Sequence, residues 1–402
     1  MHRKLYLGLI LVVCKVAFSA LNVSGQDYFQ SEEDYNLNEL EECIGDNKDC
    51  LKQPSKTSET LILSHVLFRH GNRTPDSYQE MYPKDPYLNN SFYPYGLGQL
   101  TNAGKLREFI IGTTLRRRYN SFLSDMFVPE EVEATSTDYN RTKASLELVL
   151  AGLFPPNEEQ MWNRNLRWQP VPYNYAPRDQ DRTLNGVLCP NFLNMYRKVQ
   201  ESWEMRSHYK KFRKVFNYVS RFSDLNVTTF QDIYNLYFGL STEEEFGLIL
   251  PDWTQNVWPQ MITDIAIREY SVIMAKHDMK KVASGYFLKK IIEDSKSKIY
   301  GNSNPRKIYL YSAHENNIAQ FLILLDVFQP HVPNYGAHVI IEVHQIDGVF
   351  GIMVFYQNWE NPDPELLQIR GCGEFCPFEE FVRIMEKYLP KNNDLCDRIG
   401  GT

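Results

Sequence analysis

The residues best suited to do chemistry in this chain lie within seven positions, where the sequence reads R-H-G-N-R-T-P at 69–75. The imidazole of His70 stands between two guanidiniums, those of Arg69 and Arg73. Guanidiniums bind phosphate oxygens in a planar, bidentate manner. Nearby cations also disfavour protonation of an imidazole, and a neutral imidazole is a nucleophile. The pattern therefore predicts a site that binds a phosphoryl group and attacks it.

Three runs of strand character each end at residues of this kind. The runs are residues 61–68, 132–136 and 307–312. They are followed, respectively, by the 69–75 motif, by a segment containing Arg141, and by the pair His314 and Glu315. Ligands of α/β sheets bind beyond the carboxyl ends of the strands. We therefore expect these three distant segments to converge on one crevice.

Helices and a hairpin complete the predicted fold. Helical periodicity begins near Asn102, and a second helix stops at the two prolines 155–156. Two β runs, 337–345 and 349–357, flank Asp347-Gly348, which is a strong hairpin signal. Strands separated by helices predict an α/β protein, a three-layer sandwich whose mixed central sheet is flanked by helices. A change to mostly helical sequence in the middle of the chain predicts an inserted, mainly helical cap.

The chain is predicted to contain four regions. These are a signal peptide (1–19), an N-terminal arm (20–58), a discontinuous α/β core (59–156 and 291–402) and the helical cap (157–290). The first region has a basic start and an apolar stretch of about ten residues, too short to span a bilayer. Cleavage after Ser19 fits the small-residue rule. Cleavage after Gly25 and an uncleaved interfacial anchor are the alternatives.

Charge excludes one class of function. Removal of residues 1–19 takes away Arg3, Lys4 and Lys15 and changes the formal net charge from −7 to −10. A strongly acidic protein is not expected to bind nucleic acid. The basic run at 116–118 is then most simply a solvated helix face. No later segment approaches the length of a membrane span.

Six cysteines remain after the signal peptide, an even number that predicts three disulfides in a secreted protein. The sequence alone allows 15 pairings. Cys43–Cys50 and Cys372–Cys376 can close short local loops, which leaves Cys189–Cys396 as the long-range bond. No histidine stands at zinc-ligand spacing from these cysteines, so no metal site is predicted. Asn89 and Asn226 begin plausible glycosylation sequons.

The chain resembles the histidine acid phosphatases, the branch of the histidine phosphatase superfamily that includes prostatic, lysosomal and insect venom acid phosphatases. The resemblance covers residues 59–396 and rests on segments whose combination is highly specific. These segments are RHGNRTP at 69–75, GQLTNAG at 98–104, STDYNRT at 136–142, LFPP at 153–156, SAHE at 312–315 and the closing Cys372 and Cys376.

The resemblance implies a role for each site residue. His70 would be the nucleophile that forms a phosphohistidine. Arg69, Arg73 and Arg141 would bind the phosphoryl oxygens, with His314 as a further donor. The acidic residue after His314 would protonate the leaving oxygen. No cofactor is expected, because the arginines supply the electrostatic stabilisation.

Two positions need separate treatment. The family usually has His-Asp where this chain has His314 and Glu315. Glutamate can still deliver a proton, but its extra methylene moves that proton by more than an ångström, and such misplacement can cost about 10²-fold in rate. Trp253 resembles a substrate-side aromatic residue of the family, and packing within the cap is the alternative.

The sequence thus predicts a secreted acid phosphatase that hydrolyses phosphate monoesters. The alternative is a secreted phosphate-binding protein that has lost turnover through the change from Asp to Glu. A phytase of the same superfamily is a third reading, disfavoured by the acidic chain. The expected partner is a small phosphomonoester, without nucleic acid or membrane; a homodimer is compatible with the resemblance. The expected location is extracellular, with a lysosomal lumen or a venom or salivary secretion as further possibilities.

Overall fold

Eight strands form one sheet in the computed structural model, which describes residues 59–76, 80–301, 304–391 and 395–396. The strands are β1 (Leu61–Arg69), β2 (Val132–Ser136), β3 (Asn174–Tyr175), β4 (Ile308–Ala313), β5 (His338–Ile346), β6 (Val349–Gln357), β7 (Glu365–Leu367) and β8 (Cys376–Pro377). The predicted signal peptide, the N-terminal arm and the Cys43–Cys50 bond lie outside the described residues.

The sheet is mixed, and its strands run in the order β3-β2-β4-β1-β5-β6-β7, with β8 also paired to β6. The first four strands are parallel to one another, whereas β5, β6 and β7 pair antiparallel. Strand β1 therefore lies at the junction of the two halves. In the parallel half, Arg69 is level with Ala313, and Ser136 is level with Ser312. This register brings the carboxyl ends of β1, β2 and β4 to one edge.

Twelve α-helices occur among the described residues. They are α1 (Asn102–Arg118), α2 (Asn140–Leu153), α3 (Pro190–Gln200), α4 (Trp203–Lys211), α5 (Arg213–Ser223), α6 (Phe230–Glu245), α7 (Gln260–Ala266), α8 (Arg268–Ile273), α9 (His277–Lys280), α10 (Tyr286–Tyr300), α11 (Glu315–Leu324) and α12 (Phe378–Met385). Helices α3 to α9 fall within the predicted cap, 157–290, whose status as a separate domain stays a prediction. No helix among the described residues is long and apolar enough to cross a membrane.

Both faces of the sheet are buried, which makes three layers. On one face, Val66 and Phe68 of β1 pack with apolar residues of α1 and α2. On the other face, Leu63 and Leu67 pack with residues of the cap helices and also with residues of α10 and α11. A strand covered on both sides needs a nearly continuous apolar sequence, which is what residues 61–68 provide. The predicted fold class is confirmed.

Local sequence signals explain the helix start and the turn that were predicted. The hydroxyl of Thr101 accepts a hydrogen bond from the Gly104 amide and caps the start of α1. Asp347 and Gly348 have φ angles of 48° and 81°, so both lie in the left-handed region that a tight hairpin turn requires. The predicted hairpin therefore forms β5 and β6.

One charge prediction was wrong. Of the basic run at 116–118, only Arg117 is exposed. The Arg116 side chain is buried and donates to backbone oxygens of the turn after α1. Arg118 donates to both carboxylate oxygens of the buried Glu342, at 2.7 and 3.1 Å. A buried carboxylate on β5 requires a cation, and the last turn of α1 supplies it.

Two disulfides are present among the described residues, Cys189–Cys396 and Cys372–Cys376. Both are pairs that the sequence predicts. The first spans 207 positions and joins the start of α3 to the C-terminal segment. The second closes a short loop before α12.

Candidate active site

The three predicted segments meet at one edge of the sheet. Arg69 ends β1, and His70 is the first residue beyond it. Arg141 lies in the first turn of α2, which follows β2. His314 directly follows β4 and precedes α11. The rings of His70 and His314 are 5.5 Å apart, so the convergence expected from the strand ends is present.

The loop after β1 is held by a backbone contact with α1. A Cβ atom on Gly71 would collide with the backbone oxygen of Gly104, and one on Gly104 would collide with that of Asn72. Glycine at both positions lets the two backbones touch. The helix thereby fixes the loop that carries His70.

Hydrogen bonds select the reactive atom of His70. Its Nδ1 lies 2.9 Å from the carbonyl oxygen of Gly71, which can only accept, so Nδ1 carries the proton. Its Nε2 then has the lone pair and accepts a hydrogen bond from Nε of Arg141 at 3.2 Å. Burial, and next the charges of Arg141 and Arg69, lower the pKa of His70 well below its ordinary value. The ring is therefore neutral, with its lone pair on Nε2.

Arg73 is fully engaged on one side and unpaired on the other. Its Nη1 and Nη2 donate to the two carboxylate oxygens of Glu80 at 2.7 and 2.5 Å, and Nη1 also donates to the Thr74 carbonyl. Its Nε is buried and has no hydrogen-bond partner among the described residues. Glu80 thus orients the guanidinium and leaves its Nε side for another acceptor.

Arg69 shows the same asymmetry. Its Nη1 donates to the Pro333 carbonyl at 2.6 Å, and its guanidinium carbon lies 3.7 Å from the centre of the Tyr335 ring. Both Nε and Nη2 are buried without a hydrogen-bond partner in the described part of the chain. The stacked ring and the carbonyl fix the plane of the guanidinium.

Three buried guanidinium nitrogens on Arg69 and Arg73 therefore have no hydrogen-bond partner among the described residues. Leaving one such donor unsatisfied costs about 1–3 kcal/mol, and more when the group is charged. A buried donor without a partner requires an explanation, and a bound anion that accepts its hydrogen bond is one. The Nε and Nη sides of guanidiniums match the oxygens of a phosphoryl group. The site is thus built for a tetrahedral oxyanion.

Arg141 is held by a carboxylate and an aromatic ring. Besides its bond to the His70 ring, it donates from Nη1 to Asp76 at 2.9 Å. Its guanidinium lies 4.7 Å from the ring centre of Tyr139, and that of Arg178 lies 3.7 Å from the same centre. The Tyr139 ring therefore contacts two guanidiniums, that of Arg141 and that of Arg178 from the predicted cap.

His314 is buried in the same cluster. Its Nε2 lies 3.1 Å from the hydroxyl of Thr137, and its ring packs edge-on against Tyr139 at 4.7 Å. Burial, followed by the charge of Arg141, lowers the pKa of His314 well below its ordinary value. A neutral ring has one N–H, so it can donate to an anion from Nδ1 when Nε2 accepts from the Thr137 hydroxyl.

Glu315 is the first residue of α11, and only 8% of it is exposed. One carboxylate oxygen, Oε2, lies 3.8 Å from Nε of Arg69. The other, Oε1, accepts a hydrogen bond from the hydroxyl of Tyr234 on α6. The carboxyl group therefore faces the same arginine that is expected to hold the phosphoryl group.

Trp253 lies elsewhere. It belongs to a short 3₁₀ turn at Asp252–Asn256, and its ring packs near Tyr82, Tyr218 and Phe222. None of these neighbours is one of the predicted catalytic residues. Its pocket role stays a prediction, and packing accounts for the contacts observed.

Several supporting residues have no signal in the sequence pattern. Glu80, Asp76 and Tyr335 contact the arginines but stand in irregular segments without a motif. Tyr234 is one aromatic residue among many on α6. No group of three or more histidine, cysteine, aspartate or glutamate side chains in the described ranges is arranged to hold a metal ion.

Comparison with known proteins agrees with this geometry. The family model of the histidine phosphatase superfamily (branch 2) matches residues 60–357. The chain therefore belongs to that superfamily, and the predicted family and phosphatase function are confirmed. Venom acid phosphatase Acph-1 of Apis mellifera is 39% identical over 83% of this chain and 87% of its own length. Human lysosomal acid phosphatase is 31% identical over 84% of this chain and 80% of its own length.

Solved structures show the same fold. The phytase from Citrobacter braakii superposes with a TM-score of 0.62 over 84% of this chain and 99% of that chain, at 16% identity. The phytase from Klebsiella sp. ASR1 superposes with a TM-score of 0.60 over 83% and 98%, at 15% identity. At this identity the likeness concerns the fold.

Proposed function

We propose that the protein is a secreted acid phosphatase that hydrolyses phosphate monoesters through a phosphohistidine at Nε2 of His70. The observation that carries the proposal is the set of buried donors on Arg69 and Arg73 without a hydrogen-bond partner among the described residues, together with the unprotonated Nε2 of His70, which accepts only from Arg141. A phosphoryl group bound by these donors would place its phosphorus atom near Nε2.

In the first step, Nε2 of His70 bonds to phosphorus while the bond to the ester oxygen breaks. Arg69, Arg73 and Arg141 neutralise the charge on the equatorial oxygens, which is greatest in the transition state. Glu315 delivers a proton to the ester oxygen, so the leaving group departs as a neutral alcohol. His314 donates to the phosphoryl group.

In the second step, water attacks phosphorus and the bond to Nε2 breaks. Glu315, now a carboxylate, accepts the proton of the water, and inorganic phosphate is released with His70 restored. Nδ1 keeps its proton throughout and donates it to the Gly71 carbonyl, which holds the ring in one orientation.

The lowered pKa of His70 would allow the enzyme to hydrolyse its substrate at acidic pH. A free histidine becomes protonated below about pH 6.5 and loses its lone pair. Burial and the surrounding arginines keep the His70 ring neutral at lower pH.

Secretion is supported by the signal-like start of the chain, the two disulfides and the named relatives. A venom secretion or a lysosomal lumen fits the same features. Asn89 and Asn226 are exposed, as glycosylation would require. Phosphate binding without turnover is the second candidate, because Glu315 stands where the family pattern has aspartate.

The test is to trap the intermediate. The protein is mixed with ³²P-labelled phosphomonoester and quenched, and the labelled peptide is mapped under conditions that preserve phosphohistidine. We expect label on His70 and release of inorganic phosphate. His70→Ala should abolish both, whereas His277→Ala, at an exposed histidine, should change neither. Turnover that survives in His70→Ala contradicts the mechanism, and binding without phosphate release favours the second candidate.

A further inference from the structure

The hydroxyl of Tyr234 is the partner of Glu315 in the cap. Tyr234 lies on α6, whereas Glu315 opens α11 beside the nucleophile. Its hydroxyl donates to Oε1 of Glu315, and the other oxygen, Oε2, lies 3.8 Å from Nε of Arg69. The two oxygens of one carboxyl group therefore have different surroundings. One faces a phenol, and the other faces the arginine that is expected to hold the phosphoryl group.

We propose that Tyr234 is a positioning residue for proton transfer, which fixes Oε1 of Glu315 as an acceptor and reserves Oε2 for the transferred proton. This inference rests on the proposed role of Glu315. When Glu315 is protonated, the phenol already donates to Oε1, so the acidic proton resides on Oε2. That oxygen then gives its proton to the ester oxygen as the P–O bond breaks and the bond from His70 to phosphorus forms.

The longer side chain makes a positioning contact necessary. Glutamate has one more rotatable bond than aspartate, so its carboxyl group can occupy more positions. A displacement of about 1 Å can cost about 10²-fold in rate. The bond to Tyr234 removes this freedom and ties the carboxyl group to a rigid aromatic side chain.

Tyr234 is itself held firmly. Its ring packs edge-on against Phe238 at 4.9 Å and Tyr270 at 5.7 Å. Burial, and next the charge of Glu315, raise the pKa of Tyr234 well above its ordinary value. The phenol therefore keeps its proton across the working pH range and acts as a permanent donor.

The hydrogen bond also favours the chemical step. It is stronger to a carboxylate than to a carboxylic acid, because the acceptor is then charged. Glu315 becomes a carboxylate as it loses its proton, so the bond strengthens as the leaving group departs. An interaction that is stronger in the transition state than in the ground state increases kcat.

The test combines Tyr234→Phe with two substrates. We expect kcat for an alkyl phosphate such as glycerol 2-phosphate to fall tenfold or more, because an alkoxide needs protonation. With p-nitrophenyl phosphate, whose leaving group is stable as an anion, the fall should be less than about threefold. Equal losses on both substrates, or no loss on either, would overturn the positioning role.

A double-mutant cycle separates positioning from general packing. In a Glu315→Asp background the shorter side chain cannot reach Tyr234, so adding Tyr234→Phe should have no further effect on the alkyl substrate. An undiminished effect in that background would contradict the proposal. If Tyr234→Phe does not fold, the same cycle is measured with Tyr234→His, in the wild-type background and in the Glu315→Asp background.

The matched control is Tyr196→Phe. The hydroxyl of Tyr196 donates to Oε1 of Glu269, which is a hydrogen bond of the same kind between two other residues of the cap helices. The Tyr196→Phe substitution should leave the ratio of the two kcat values unchanged. Trapping of the His70 phosphoenzyme in the wild-type protein serves as the separate test of the proposed function. A selective loss on the alkyl substrate, in a Tyr234→Phe protein that still forms the intermediate, therefore concerns Tyr234 alone.

Discussion

Nε of Arg141 lies 3.2 Å from Nε2 of His70, so one guanidinium donates directly to the nitrogen that is expected to attack phosphorus. The bond can persist only while that nitrogen has its lone pair, and it must break when phosphorus takes the lone pair. Arg141 is then free to turn to a phosphoryl oxygen. In the proposed mechanism, Arg141 thus keeps the His70 ring unprotonated before the reaction and binds a phosphoryl oxygen after it.

Loss of the Arg141 charge should move the acid limb of the pH profile. The pKa of His70 is lowered by burial and then by Arg141. Without that charge the pKa rises, and protonation stops the reaction at a higher pH. In Arg141→Gln we expect the acid limb of kcat/KM to move upward and kcat/KM at pH 5 to fall about 10- to 100-fold. Arg117→Gln, on the exposed side of α1, is the control; an unmoved acid limb would count against the assignment of His70.

Removal of the Glu80 charge should loosen Arg73. Arg73 is buried and the Glu80 side chain is only 11% exposed, and both carboxylate oxygens accept from the guanidinium. Breaking a buried ion pair costs about 3–5 kcal/mol. Glu80→Gln should therefore lower the free energy of unfolding by an amount of that order and raise KM. Asp224→Asn breaks the exposed Lys84–Asp224 pair and should cost less than about 1 kcal/mol, as measured by urea unfolding.

A methyl group at Gly104 should displace the loop after β1, which carries His70. A Cβ at this position collides with the backbone oxygen of Asn72, which cannot move without moving the loop. Gly104→Ala should lower stability by at least about 2 kcal/mol and reduce kcat, because His70 is carried by the same loop. Leu106→Ala changes a side chain that is 48% exposed on the same helix and should do neither. Normal kcat in Gly104→Ala would show that the loop tolerates the shift.

Stability should fall as pH rises, through the fully buried Glu243. Burial, followed by a hydrogen bond with Asp85, raises the pKa of Glu243 to about 9. The folded protein therefore holds this proton more tightly than the unfolded chain does. The stabilisation is fully present below the ordinary pKa of 4.5 and is lost as pH rises from 4.5 towards 9, by at most about 1.4 kcal/mol per pH unit.

Glu243→Gln tests this dependence, because glutamine cannot ionise. We expect the melting temperature of the variant, relative to wild type, to be higher at pH 8 than at pH 5. Tyr82 also faces this pair, and its pKa is raised by burial and then by Asp85, so it stays neutral at both values. Glu293→Gln, at an exposed position on α10, is the control: its melting temperature should differ from that of the wild type by the same amount at pH 5 and pH 8. A constant difference for Glu243→Gln would exclude the linkage.

The sequence predicted the frame of the site because its signals are local. An apolar run covered on both faces predicts a buried strand, and parallel strands bring their carboxyl ends to one edge. This was sufficient to place His70, Arg141 and His314 near one another. The contact of Tyr335 with Arg69 depends instead on how a loop 266 residues later packs, and no local pattern records it.

The pairing of Arg118 with Glu342 has a signal in the sequence of β5, although the basic run at 116–118 does not show it by itself. Glu342 is a single charged residue in an otherwise apolar stretch of β5. A carboxylate buried in this way requires a cation or a lost proton. The burial of Glu342, rather than the basic run itself, therefore predicts that one of the three arginines faces inward.

The bond between Cys189 and Cys396 also determines what a single break in the chain would do. Ile249, 85% exposed, lies between these cysteines in the sequence. A protease that cut beside it would leave two fragments joined by the disulfide, one with His70 and the other with Glu315. The nicked protein would migrate as one band until a thiol reagent released two.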